Sequence, residues 1–120
     1  MKKSDEPLVS ALGEVLEAMR SLQRALRESE MRTVENMARL RAGEQLADIV
    51  RQTPVSTARI DINEAIDRLT TARQVSRAVG FRQLIEDGMT RKEIAAMWGF
   101  SQQVVSRIVH YEDPSAETRR

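Results

Sequence analysis

The residues best equipped for chemistry lie together near the C-terminus: Ser101, Gln102, Gln103, Ser106, Arg107 and His110. They do not form a catalytic set. No G-x-x-x-x-G-K, H-E-x-x-H or G-x-S-x-G motif and no paired-carboxylate setting occurs in the chain, so it is not expected to be an enzyme. What these side chains share is hydrogen-bonding capacity on one helical face. Gln matches the major-groove edge of adenine, Arg that of guanine, and Ser can reach bases or phosphates. The face lacks the Glu and Lys mixture of an indifferent solvated helix. Its chemistry is that of reading base edges in double-stranded DNA. His110 is the single histidine and there is no cysteine, which excludes a histidine cluster, a thiolate nucleophile, a disulfide and a cysteine-ligated zinc within one chain. No metal, cofactor or small-molecule ligand is expected.

A reading face needs elements that hold it, and local signals for them are dense. Gly88 follows Glu86 and Asp87, where a helix end favours a left-handed residue. Thr90 and Glu93 form a T-x-x-E capping box, with Met89 and Ile94 at the staple positions, so a helix is expected from Arg91. Gly99 ends it. Phe100 and Val105 then bracket Ser101 as an N-cap, and a second helix is expected over 102–111. Ala95 is small where the two helices cross, and Ile94, Trp98, Phe100, Val105 and Ile108 are expected to share a core. Two short helices joined by a tight glycine turn make a helix-turn-helix. Thr90, Arg91, Lys92, Arg77 and Arg73 are candidate phosphate contacts, with Thr70, Thr71 and Arg82 as further ones.

The segment MTRKEIAAMWGFSQQVVSRIV resembles the helix-turn-helix of bacterial and phage DNA-binding proteins, most closely the trihelical type of serine-recombinase C-terminal domains and ParB-like partition proteins. It covers about a quarter of the chain, or two fifths if residues 71–87 supply the first of three helices. The resemblance implies that the second helix of the motif enters the major groove, with Gln102, Gln103, Ser106, Arg107 and His110 reading bases. Within these residues there is neither a recombinase catalytic domain nor the GxxRxxA motif of ParB proteins.

Upstream, Leu8, Leu12, Val15, Met19, Leu22 and Leu26 step by four and three, the spacing of one helical stripe. Ala11, Ala18 and Ala25 run along one flank and Val9 and Leu16 widen the other, so bundle packing suits this face better than a two-stranded coiled coil. The stripe loses phase around 27–33, which leaves open one long helix or a helical hairpin. Gly43 weakens the second half without a strong stop signal. A stripe this long needs a partner, and the six residues named are expected to mediate self-association. After Pro54, VSTARIDI reads as an extended linker or short strand. Asp61 and Glu64 have capping-box spacing, which places a helix start at Ile62, and Gly80 either ends that helix or marks a close backbone approach.

The expected fold is all-α: a helical oligomerisation region (1–52), a linker (53–61), a trihelical helix-turn-helix domain (62–112) and a disordered tail (113–120). The chain's 120 residues carry a net charge of only +1, which excludes coating nucleic acid by charge alone. Residues 51–110 hold nine basic against six acidic side chains, while 1–50 hold eight against nine, so the surplus sits with the motif. It is small, and two motifs on adjacent half-sites would be needed for affinity at physiological salt. The function expected is a homodimeric or higher-oligomeric, sequence-specific DNA-binding protein, a transcriptional regulator of the repressor type reading an inverted repeat. One alternative is a partition, centromere-binding or nucleoid-organising protein; another is an interaction adaptor for the transcription machinery. With no signal-peptide pattern after MKKSDEP and no membrane-length apolar run, a cytoplasmic, nucleoid-associated location without a membrane partner is expected.

Overall fold

The computed structural model describes residues 2–52 and 55–113. Among the described residues all regular structure is helical, as expected: a 3-10 turn at Lys3–Asp5, then α1 (Glu6–Arg41), α2 (Leu46–Gln52), α3 (Val55–Glu86), α4 (Arg91–Trp98) and α5 (Gln102–Val109). None of these helices is long and apolar enough to cross a membrane. The chain divides into two compact units, residues 18–69 and residues 2–17 with 70–113. The division cuts across the expected domains, because the first turns of α1 belong with the C-terminal helices.

One open alternative is decided and two boundaries, the end of α1 and the start of α3, differ from the sequence reading. α1 is one continuous helix of 36 residues, and where its stripe loses phase Thr33 Oγ1 donates back to the Ser29 carbonyl at 2.8 Å. Gly43 supplies its stop after all. The Gly43 N–H donates to Leu40 O and the Glu44 N–H to Arg39 O, the paired closing bonds of a Schellman motif, with Gly43 at φ +92°. The second correction is the linker. α3 is already helical at Val55, so residues 55–61 continue a 32-residue helix, and Asp61 and Glu64 lie inside it. Their i, i+3 spacing is equally that of carboxylates on a solvated helix face, and both are exposed. The β-branched residues of VSTARIDI cost a helix only tenths of a kcal/mol each. Thr53, Pro54 and the expected tail from Pro114 onward lie outside the described residues.

In the unit formed by 18–69, the buried side chains among those described are Ala18, Ile49 and Ala65. Ser21 Oγ accepts from Arg68 at 3.0 Å and from Arg24 at 3.2 Å. Where α1 turns into α2, the Arg39 guanidinium grips both carboxylate oxygens of Glu44 at 2.9 Å and Gln52 Oε1 at 2.7 Å. That hydrogen-bonded pairing holds the Glu44 carboxyl below the usual carboxylate range.

In the other unit, the first turns of α1 lie along the end of α3. Lys2 pairs with Asp87 at 3.8 Å, and Gln83 Nε2 bridges Ser4 Oγ and Asp87 Oδ1. Gly80 sits within α3, where a side-chain carbon would stand 3.7 Å from Leu8 Cδ1, so the close-approach alternative is the one observed. The core of this unit is Phe81, Ile94, Ala95 and Val105, with Leu84, Ile85, Met89, Phe100, Ile108 and Val109 packed around it.

The stripe expected to mediate self-association is split. Val15 is buried and Leu8 and Leu22 are partly buried within the chain, next to buried Ala11 and Ala18, whereas Leu12, Met19 and Leu26 are about half exposed. Val15 is therefore not available to a partner. The exposed apolar face of α1 is rotated toward Val9, Leu12 and Leu16 relative to the one expected.

Candidate nucleic-acid interface

The candidate reading residues are positioned by three terminations in quick succession. α3 closes with Gly88 N–H on Ile85 O and Met89 N–H on Leu84 O. Leu84 and Met89, the residues so joined, both pack against the core. α4 then opens on the capping box: the Glu93 N–H donates to Thr90 Oγ1 at 3.1 Å, and the Thr90 N–H donates to Glu93 Oε1 at 3.2 Å. Gly99 ends α4 at φ +72°, ψ +28°, the left-handed region, while Phe100 N–H reaches back to Ala95 O. Two residues later Ser101 Oγ accepts from the Val104 N–H at 3.1 Å and starts α5. Each of these devices satisfies backbone groups that a helix terminus leaves open, which is why eight-residue helices stand here.

Packing fixes the rotation of α5. Val105 and Ile94 are fully buried and Ala95 nearly so, with Ile108 and Val109 half buried, so the opposite face must look outward. Gln102, Gln103 and Arg107 are exposed and Ser106 is half buried, and the four line a shallow depression of about 550 Å³. α5 stops at Val109, two residues short of the expected end. His110 stands just past it as the C-terminal cap, exposed, beside a second depression of about 510 Å³ that includes Val75, Ala78 and Arg82. It is not among the residues lining the first. Ser101 lies at the mouth of α5, its oxygen occupied by the cap.

The candidate phosphate residues divide as well. Arg91 and Lys92 are exposed in the first turn of α4, and Arg73 is exposed on α3. Arg77 is half buried, with its guanidinium 5.7 Å from the centre of the Phe100 ring, a cation-π distance. The Thr90 hydroxyl is engaged with Glu93 on both of its hydrogen-bonding sides. Arg82 has a use the sequence reading did not anticipate. Its Nε donates to Val109 O at 2.7 Å and its Nη2 to Tyr111 O, so it closes the end of α5. Tyr111 Oη donates to Gln74 Oε1 at 3.1 Å and adds a second tie to α3. No sequence signal announces this clamp, since a carbonyl acceptor carries no residue identity. Trp98, expected in the core, is 45% exposed, and its ring meets Phe81 edge to face at 5.0 Å between centroids. Among the described residues no three His, Asp or Glu side chains gather as a metal site would require. Comparisons with protein-family models, with curated proteins and with solved structures found no match to the chain.

Proposed function

We propose that this chain is a sequence-specific DNA-binding protein that reads the major groove with α5. The observation that carries the reading is the α4–Gly99–α5 hairpin. Its caps and core leave Gln102, Gln103 and Arg107 on one exposed face, spaced so that Gln103 and Arg107 lie one turn apart. Two Gln and one Arg can discriminate adenine and guanine by paired hydrogen bonds. Arg91, Lys92 and Arg73 are the cations this reading assigns to the phosphate backbone, and it gives Ser106 either backbone or base. The helix-turn-helix domain so defined would act from a homodimer or higher oligomer on an inverted repeat, as a regulator of the repressor type. No catalytic step, cofactor or metal is needed for this activity.

The rival that keeps DNA but changes the job is an organiser or partition protein. It draws support from the apolar side chains that α1 exposes along most of its length, from Val9 to Leu40, which offer surface for assemblies larger than two. The test separates both. Duplexes selected from a random pool should converge on one site. Gln103→Ala and Arg107→Ala should each lose about 1–3 kcal/mol at a single base position. Arg91→Ala and Lys92→Ala should weaken all sequences alike and each reduce the salt slope by about one. Footprints confined to an inverted repeat with half-sites about 10 bp apart support the regulator, and extended protection supports the organiser. No convergence on any sequence refutes the base-reading assignment.

A further inference from the structure

We propose that residues 109–113 form a strap, fastened to α3 by Arg82 and Tyr111, that sets His110 against a DNA phosphate at the edge of the major groove and turns Glu112 and Asp113 back from it. The inference rests on the reading of α5 as the helix that enters the groove, and it assigns His110 to the backbone, not to a base.

The stripe that exposes Gln103 and Arg107 does not stop where α5 does. The His110 N–H still donates to Ser106 O at 3.2 Å, the bond of a helical turn, so His110 leaves the axis in helical register. Seven residues are two turns less about 20°, which puts exposed His110 on the face of Gln103, about 10 Å further along the axis. A recognition helix meets base edges with its N-terminal residues, in a groove about 12 Å wide. A side chain so far along the axis stands at the phosphate wall, where an imidazole N–H has an oxygen to donate to.

The main chain is held on both sides of His110. Arg82 Nε donates to Val109 O at 2.7 Å and Arg82 Nη2 to Tyr111 O. The Tyr111 N–H donates to Ile108 O at 3.0 Å, and Tyr111 Oη to Gln74 Oε1 at 3.1 Å. What stays free to be placed is the imidazole.

Charge points the same way. A helix C-terminus repels an anion, and Arg82 offsets this by bringing its guanidinium onto the carbonyl of Val109, the last residue of α5. Glu112 and Asp113 follow immediately and would repel a phosphate from the same end. Instead they line, with His110, the depression beside Val75 and Ala78 of α3, and neither lines the one shared by Gln103 and Arg107. Arg82 and Tyr111 are thus positioning residues, which keep one donor in line and two carboxylates aside.

The experiment titrates a mixed-sequence duplex, and base variants of the duplex selected from the random pool, with helicity checked on every protein. His110→Ala should lose about tenfold on all of them alike, the worth of one hydrogen bond to a charged acceptor. Arg82→Lys keeps the charge without the two-pronged grip and should also lose affinity. Adding Glu112→Gln should recover part of that loss, whereas Glu112→Gln alone should change little. If Arg82→Lys does not fold, Tyr111→Phe, which removes one oxygen, takes its place in the same comparison. An equal gain from Glu112→Gln in both backgrounds overturns the strap. A His110→Ala loss confined to one base position overturns the phosphate assignment, and no loss at all overturns it while Gln103→Ala and Arg107→Ala still test base reading. A wild type that binds no duplex refutes both readings together.

Discussion

Gly13 and Gly99 form a matched pair that isolates backbone conformation from packing. A side-chain carbon added at either meets nothing within 4 Å, so Gly→Ala changes no contact at either site. The two differ in backbone geometry: Gly13 lies within α1, whereas Gly99 holds φ +72° between α4 and α5. At Gly13 the alanine gains its helix propensity, about 0.8–1 kcal/mol. At Gly99 it meets the left-handed penalty, about 1–2 kcal/mol. Part of that loss is offset by about 0.4–1 kcal/mol from the stiffer unfolded chain, which leaves a net destabilisation near 1 kcal/mol. One chemical change should therefore shift stability in opposite directions, about 2 kcal/mol apart. Asn at 99 should cost less than Ala, because its short polar side chain tolerates the left-handed region, and Val should cost more.

Trp98 is the single tryptophan and stacks edge-on against Phe81 in the unit that contains both glycines, so its fluorescence reports the relevant unfolding. Urea titrations of Gly13→Ala, Gly99→Ala, Gly99→Asn and Gly99→Val give the order directly. Heating should separate the two alanine variants by roughly 4–8 °C per kcal/mol for a unit of this size. Equal signs for the two alanine variants would refute the conformational argument. A Gly99→Ala cost above about 3 kcal/mol would do so as well, since it would require a clash where the structure has open space.

The remaining predictions address the clamp, the buried stripe and the turn from α1 into α2. Arg82→Ala strips the Val109 and Tyr111 carbonyls of their donor and should raise hydrogen exchange at the end of α5 and lower DNA affinity. Arg82→Lys should restore charge but not the two-pronged grip, giving partial rescue. Val15→Asp places a carboxylate where the chain already covers the side chain, so circular dichroism should show loss of helix, not a folded monomer. Glu44 is stabilised as a carboxylate in the folded state; that contribution is present above its unfolded pKa and is lost as pH falls through its lower folded value. Chemical shifts of the Gly43 and Glu44 amides should therefore move only as pH falls below the ordinary glutamate range, and should not do so in Glu44→Gln.

How much was legible follows from where each signal is stored. The starts of α4 and α5 and the end of α4 are written within four residues of themselves: Thr90 with Glu93, Ser101 with Val104, Gly99 with Ala95. Their side chains or missing side chains satisfy local backbone groups, so sequence alone located them. The start of α3 misled because Asp61 and Glu64 imitate a cap while sitting mid-helix, and nothing nearby distinguishes the two uses. The clamp made by Arg82 was missed for a different reason. Its partners are main-chain carbonyls 27 and 29 positions away, invisible to any local pattern, and an arginine near a basic motif looks like a phosphate ligand.

The split of the α1 stripe carries the deeper lesson about this chain. With apolar residues on both flanks, α1 has no single face dictated by its own periodicity, and its neighbours choose the face. They chose the side of Ala11, Val15 and Ala18, small residues that let helices approach closely but remove little surface from water. The leucines and methionines that could supply more burial were left outside, Leu12, Leu16, Met19 and Leu26 among them. The two units then differ in kind. Phe81, Ile94, Ala95 and Val105 give the end of α3, α4 and α5 a common core, so the exposed face of Gln102, Gln103 and Arg107 is oriented without a partner. Residues 18–69 have no comparable cluster among the described side chains. The orientation of the exposed α5 face is thus set by packing inside a single chain, whatever the apolar side of α1 meets.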